Sequence, residues 1–448
     1  MAQVSPQVPQ EILEKVIDCL PHDELDSLKA VALASRCLVD RARSRLFSNV
    51  YFAKTSSLPP GTWKIFHYNP SLLKFARRMF VRSRGPDYNV PSSAIQDILI
   101  HLRGVQELEI DSVSLLKDWI TVGLFGICTA IYKLSVELRE DIPLDMFYTL
   151  PQLQELQLSY GPYTHHWGGQ IPFESPSESE IRVPPWRLKS LHYRSRNRGT
   201  YHSPLLASPK LQPHVYGGLV HLNLDMREVS DHNFVMSRVL PACQNSPLET
   251  LRMWYLPHPH DLQLFYHTAL RDLHSFPLLR YLNIEFNSLQ ANEQTALSGC
   301  QDFLRSLIGG VPQPSLEALN VLCSWDERSF SGPLSAESPL IQYMGWERMG
   351  TILTNRALYP RLRALRLTTQ VGGWVQRRDL AKVYRPTVGS DFEGTLRQQM
   401  ASTLSADMGS GVVLDVGSEE TKLKFDRVVN SIFDAAWGEV RPSHHVLL

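Results

Sequence analysis

One pattern constrains this chain more than any other. An apolar residue, two others, a leucine, one other and a second apolar residue recur in series from about residue 100 onward. The copies are Val105–Leu108–Ile110, Ile131–Leu134–Val136, Leu153–Leu156–Leu158, Leu188–Leu191–Tyr193, Leu219–Leu222–Leu224, Leu248–Leu251–Met253, Leu279–Leu282–Ile284, Leu316–Leu319–Val321 and Leu362–Leu365–Leu367. Seven of these nine carry leucine at both of the first two positions, too regular for a scattered apolar background. Proline stands just ahead of several copies, at Pro151, Pro247, Pro277, Pro314 and Pro360, as a turn feeding a strand requires. Met79–Val81 reads as a degenerate earlier copy.

The middle leucine and the last apolar residue are two apart, so on a short strand both point to one face. Repeated strands of this kind stack into a parallel sheet, with the intervening chain covering the leucine side, which is a leucine-rich solenoid. Such an array grows without separate cores, so the 448-residue length does not translate into a count of independent domains. The middle leucines are 26, 22, 35, 31, 29, 31, 37 and 46 residues apart. Regular repeats of this class run about 20–29 residues, so the array is irregular and carries insertions. One insertion, residues 161–186, is rich in Pro, Ser, Gly and Glu and reads as a polar loop with serines open to phosphorylation.

Residues flanking and between the inward pair face the other way and are expected to line a concave binding surface. They run from Glu107, Glu109 and Asp111 through Glu155, Gln157, His192 and Arg194 to His221, Asn223 and Asp225. Later copies supply Arg252, Trp254, Tyr281, Asn283, Glu285, Arg366 and Thr368. This mixed, partly aromatic set favours a protein partner. Arg252, Trp254, Tyr281, Asn283 and Glu285 are the candidate target-binding residues, with Trp254 and Tyr281 as the aromatic anchors.

The first fifty residues carry a different period. Ile12, Leu13, Val16, Ile17 and Leu20 fall on one face of a helix that starts after Pro9 and stops at Pro21. Asp23 caps a second helix bearing Leu25, Leu28, Val31 and Leu33, and a third spans about 38–47 with Ala42 and Leu46 inward. Three helices in so few residues make a small core, and leftover apolar residues make a docking surface.

Residues 7–50 resemble an F-box, in particular the version common in mushroom-forming fungi. The resemblance rests on Val8-Pro9-Gln10-Glu11-Ile12-Leu13, Ile17 and Leu20, then Leu28-Lys29-Ala30, Leu33-Ala34-Ser35-Arg36, Arg41-Ala42-Arg43 and Leu46-Phe47-Ser48-Asn49-Val50. Val8 replaces the family's usual leucine before the proline, and Leu38 stands where it often has tryptophan. The resemblance implies docking to a Skp-type adaptor, and through it to a cullin scaffold. It makes Val8, Pro9, Ile12, Leu13, Ile17 and Leu20 the adaptor-facing set.

Composition excludes other classes. Lys and Arg number 45 against 45 Asp and Glu, which removes the bulk electrostatic case for nucleic acid or an anionic membrane. The six cysteines show no CxxC pair or dense framework and read as reduced thiols. The N-terminus has no signal-peptide pattern, and the longest nearly uncharged run, residues 119–132, is short for a membrane span. A cytoplasmic or nuclear protein is expected. His258, His260, His267 and His274 cluster without an HExxH motif or completing carboxylates, so no metal is expected. Gly409-Ser410-Gly411 lacks a Walker lysine and reads as a turn. No catalytic signature appears and no cofactor is implied.

Beyond the last copy, Leu423, Phe425, Val429, Ile432, Phe433, Ala436 and Trp437 form a helix with a broad apolar face, read as a cap for the array's end. The sequence therefore describes an α/β chain. Residues 1–50 are a three-helix F-box-like module, 51–378 an irregular leucine-rich-repeat-like solenoid with parallel strands, and 379–448 a C-terminal cap. The leading function is a non-enzymatic substrate receptor of a cullin-based ubiquitin ligase holding an unknown target. A scaffold without a ligase role, or an enzyme sited in the insertions or the last 70 residues, are the alternatives.

Overall fold

The structure is a computed structural model that describes residues 8–20, 24–34, 36–53, 66, 68–82, 101–111, 129–138, 144–160, 181–194, 204–226, 231, 234–255, 276–288, 312–326, 355, 357–372, 413–415 and 419–437. It divides into two compact units, Met1–Trp186 and Arg187–Leu448. The helical module thus shares a unit with the first strands, and the C-terminal helix shares one with the last.

In the first unit three helices lead: α1 Gln10–Cys19, α2 Leu25–Ala34 and α3 Val39–Leu46. Their core is Ile17, Leu28 and Leu38, with Leu13, Leu20, Val31 and Leu46 packed around it. α1 is tied to α3 by arginines. Arg41 donates to the Asp18 carboxylate, and that hydrogen bond holds the carboxyl below its ordinary range, against the opposing effect of burial. Arg45 donates to the Asp18 carbonyl at 2.6 Å and to the Leu20 carbonyl, acceptors that the end of α1 leaves without helical partners. Arg45→Ala strands those carbonyls and is expected to destabilise the module by about 1–3 kcal/mol, read as faster amide exchange in α1.

Five strands follow: β1 Asn49–Ala53, β2 Arg78–Arg82, β3 Glu107–Asp111, β4 Lys133–Leu138 and β5 Glu155–Tyr160. Each pairs with the next in parallel. The copy suspected at Met79–Val81 is β2. β1 carries no leucine pattern and was not foreseen as a strand.

The second unit repeats the plan with β6 Ser190–Arg194, β7 His221–Met226, β8 Thr250–Tyr255, β9 Tyr281–Ser288, β10 Ala318–Asp326, β11 Ala364–Gly372 and the short β12 Val413–Asp415. All are parallel, and the middle leucines stand in register: Leu191, Leu222, Leu251, Leu282, Leu319, Leu365, Leu414. From Leu191 to Leu365 these residues are at most 2% exposed, as a dry leucine face demands. A 19-residue helix, α4 Glu419–Trp437, closes the described chain.

The turns explain the prolines. The first apolar residue of several copies donates its N–H to the carbonyl three residues back: Leu153 to Leu150, Leu279 to Phe276, Leu316 to Gln313 and Leu362 to Tyr359. Pro151, Pro277, Pro314 and Pro360 sit at the second position of these turns, where a fixed φ is already correct. Two N–H groups from each new copy then converge on one carbonyl of the previous one. Arg280 and Tyr281 bond the Glu249 carbonyl, Glu317 and Ala318 the Arg280 carbonyl, and Arg363 and Ala364 the Glu317 carbonyl. Register is therefore set at each strand's entry. Side chains at that level alternate in charge, with Arg280 bridging Glu249 at 3.1 Å and Glu317 at 2.6 Å, and Arg363 on the far side of Glu317. This is an irregular leucine-rich-repeat-like solenoid.

Of the insertion at 161–186, only 181–186 is described, and it is not a free loop there. Ile181 and Trp186 are buried, and the Trp186 Nε1–H donates to the Phe147 carbonyl at 2.6 Å. Its acidic serine run, the histidines at 258, 260, 267 and 274, the glycines at 409 and 411 and residues 119–128 lie outside the described residues.

Candidate functional site

Two surfaces carry the sequence expectations. On the helical module, α1 bears two apolar stripes rather than one. Leu13, Ile17 and Leu20 turn toward α2 and α3, and Ile17 is 2% exposed at the centre of that core. Ile12 and Val16, four residues apart on α1, stay 51% and 56% exposed, and Val8, just ahead of the helix, 54%. Leu33 of α2 is 89% exposed. Ile17 is a core residue, because the 100° step between neighbours on a helix sends it and Val16 to different sides. Leu13 and Leu20 are half-buried supports. Val8, Pro9 and Ile12 are exposed, as are Val16 and Leu33. Sequence periodicity could have separated the stripes, since 8, 12 and 16 are spaced apart from 13, 17 and 20.

The second surface is the sheet face opposite the leucines. In the first unit its entry row alternates in sign. Arg78 pairs with Glu107 at 3.0 Å, Tyr132 donates to Glu107 at 2.8 Å, and Lys133 pairs with Glu155 at 3.3 Å. Burial pushes the Glu155 carboxyl up, with Lys133 pulling the other way.

In the second unit this face is occupied by α4. Phe425, Val429 and Ile432 form one buried cluster with Tyr281, Ala318 and Ala364, the residues that begin β9, β10 and β11. Phe433 stacks on His221 of β7 with centroids 5.2 Å apart and meets Tyr281 edge-on at 5.9 Å. Asp426 accepts from Arg366 at 2.9 Å, whose guanidinium lies over the Phe425 ring, and Ser431 accepts from Arg363. Nineteen residues at about 1.5 Å each make a helix of roughly 28 Å, and four strand spacings of about 4.8 Å span roughly 19 Å, so α4 reaches from β11 to β7. Ala318 and Ala364 let the helix sit close where larger side chains would hold it off.

Two of the five target-binding candidates are buried. Tyr281 is 2% exposed beneath α4, and Asn283 is equally buried, accepting from Asn320 at 2.8 Å and donating to Glu285 at 3.1 Å. Arg252, Trp254 and Glu285 remain half-buried on the face. Nearby, Arg194 pairs with Asp225 at 2.6 Å. His192 is held neutral: burial lowers its pKa to about 4, and the charges of Arg194 and Arg252 add to the effect. The unfolded imidazole takes a proton near pH 6.5 that the folded one refuses until about 4, so stability is complete above that window and declines as pH falls through it. Relative to His192→Gln, the natural chain is expected to lose roughly 1–2 kcal/mol between pH 7.5 and 5, read from urea midpoints.

No protein-family model and no curated protein matches the chain. Among solved structures, an internalin from Listeria monocytogenes aligns over 80% of this chain and 92% of its own, at 12% identity and a TM-score of 0.28. The complex of Rad7 and Elc1 in yeast aligns over 84% of this chain and 90% of its own, at 14% identity and a TM-score of 0.38. At such scores the fold assignment rests on the strand register and leucine core above.

Among the described residues, no cluster of three His, Cys, Asp or Glu side chains is placed to hold a metal, and no helix is long and apolar enough to cross a membrane. Cys19 and Cys37 are exposed and outside any disulfide, while burial pushes the Cys243 thiol up and keeps it protonated.

Proposed function

We propose that the chain is a substrate-recognition subunit of a cullin-based ubiquitin ligase, docking a Skp-type adaptor through α1–α3 and a target protein through the solenoid. The observation that carries this reading is the exposed stripe of Val8, Ile12 and Val16 with Leu33, on a module whose own core is already complete. Apolar surface held in water at about 25 cal/mol per Å² is a standing drive toward a partner. The order of motifs over residues 7–50 supplies the identity of that partner.

A receptor of this kind is not an enzyme itself and acts by proximity. It raises the effective concentration of a target lysine near a ubiquitin carrier held elsewhere in the assembly. Its place of action is the cytoplasm or nucleus, where such ligases work.

The test is capture of a Skp-type adaptor and a cullin by the full chain, with the abundance of co-captured proteins followed while the cullin is inhibited. Adaptor, cullin and a protein that accumulates on inhibition are the expected set. Adaptor without any such protein would turn the reading into the scaffold alternative, and no adaptor at all would sink it.

A further inference from the structure

We propose that α4 is a built-in occupant of the target-binding face, and that the target carries an amphipathic helix that binds by taking its place. This deepens the receptor reading and rests on the part of it that gives the solenoid a protein target.

A cap for a solenoid covers the exposed edge of the last strand and the open end of the leucine core. α4 lies against β12, the last described strand, and its apolar stripe continues over the face away from the leucines. Its anchors sit on residues 221, 281, 318 and 364, which share one register row one position before the inward leucines Leu222, Leu282, Leu319 and Leu365. That row is chemically a helix groove. Ala318 and Ala364 form its floor, Tyr281 an aromatic wall, His221 a stacking platform, and Arg366 a cation at its rim. The complementary ligand is written on α4: aromatic or aliphatic residues at 425, 429, 432 and 433, with a carboxylate at 426 facing Arg366. Helices seat in grooves by this spacing of anchors.

The leucine core of β6–β11 is assembled from its own repeats, and α4 contributes none of its residues. Displacing α4 would therefore uncover Tyr281, Ala318 and Ala364 and leave the leucine row packed. An internal helix that competes for the groove lowers apparent affinity for any external helix by the fraction of time the groove is open. Targets would then be selected for matching or exceeding the internal contacts.

The experiment uses the full chain and a labelled peptide of residues 419–437 as the probe. Binding and hydrogen exchange are measured for the natural chain and for Phe425→Ser/Phe433→Ser, which removes two anchors from the occupant and leaves the groove intact. In the double variant, the α4 amides are expected to lose protection while those of β7–β11 keep it. Peptide affinity should rise at least about ten-fold over the natural chain. Three results would overturn the proposal: a released α4 with no gain in peptide binding, an α4 that stays protected, or strands that lose protection together with the helix. Adaptor capture is scored on the same samples. Its loss or retention bears on the docking of α1–α3 alone, so the two readings fail separately.

Discussion

Leu28→Ala is expected to unfold the N-terminal helical module while the strands of the second unit stay protected from exchange. Leu28 is fully buried at the centre of the helical module, in one cluster with Ile17 and Leu38, and Ala42 of α3 is buried as well. Truncating such a leucine costs about 2–5 kcal/mol in transfer and cavity terms. A core of roughly forty residues has little more than that to lose. Amide exchange in α1 and α2 should rise toward the unfolded rate, and adaptor capture should vanish with it. Retained protection in both helices would mean the module draws its stability from contacts other than this core.

The second large effect is a contrast between neighbours. Leu251 and Arg252 are consecutive in β8, but pleating sends them to opposite faces. Leu251 is fully buried between the in-register leucines Leu222 and Leu282, whereas Arg252 is half-buried on the other face. Leu251→Ala is expected to destabilise the second unit by about 2–5 kcal/mol. Arg252→Ala should stay within about 0.5 kcal/mol, as surface changes do. Urea unfolding of both variants measures the difference. Equal costs would contradict the placement of Leu251 and Arg252 on opposite faces of the sheet.

That assignment was legible in the sequence because it rests on local spacing. Two residues apart means one face of a strand, and that spacing places every copy from Val105 to Leu362. A turn with proline at its second position also marks the start of the copies at Leu153, Leu279, Leu316 and Leu362. β1 could not, since Asn49-Val50-Tyr51-Phe52-Ala53 borrows its place from pairing with β2 rather than from a leucine pattern. The split of α1 into two stripes was also within reach of periodicity, and it places Ile17 in the core of the module.

What the sequence did not show is where α4 lies. Its apolar stripe at 425, 429, 432 and 433 is plain, but a stripe says only that something is covered. Which surface it covers depends on residues up to about two hundred positions earlier, from His221 onward. The one local trace is the pair of alanines at 318 and 364, small residues in a row where other copies carry His221, Thr250 and Tyr281. Tyr281 looked like an anchor for a target because an aromatic on that face is one. In the folded chain the anchor is engaged by Phe433.

If the exposed residues of α1 dock a Skp-type adaptor, as proposed, binding must depend on Ile12 and Val16. Titrating purified adaptor into the natural chain and into Ile12→Ser/Val16→Ser tests it most directly. Both residues are about half exposed in the free chain, so the variant should melt with the natural protein. At about 1–1.5 kcal/mol lost per buried side chain, affinity should fall roughly thirty- to hundred-fold. An adaptor that binds both proteins equally, or neither, would contradict the account.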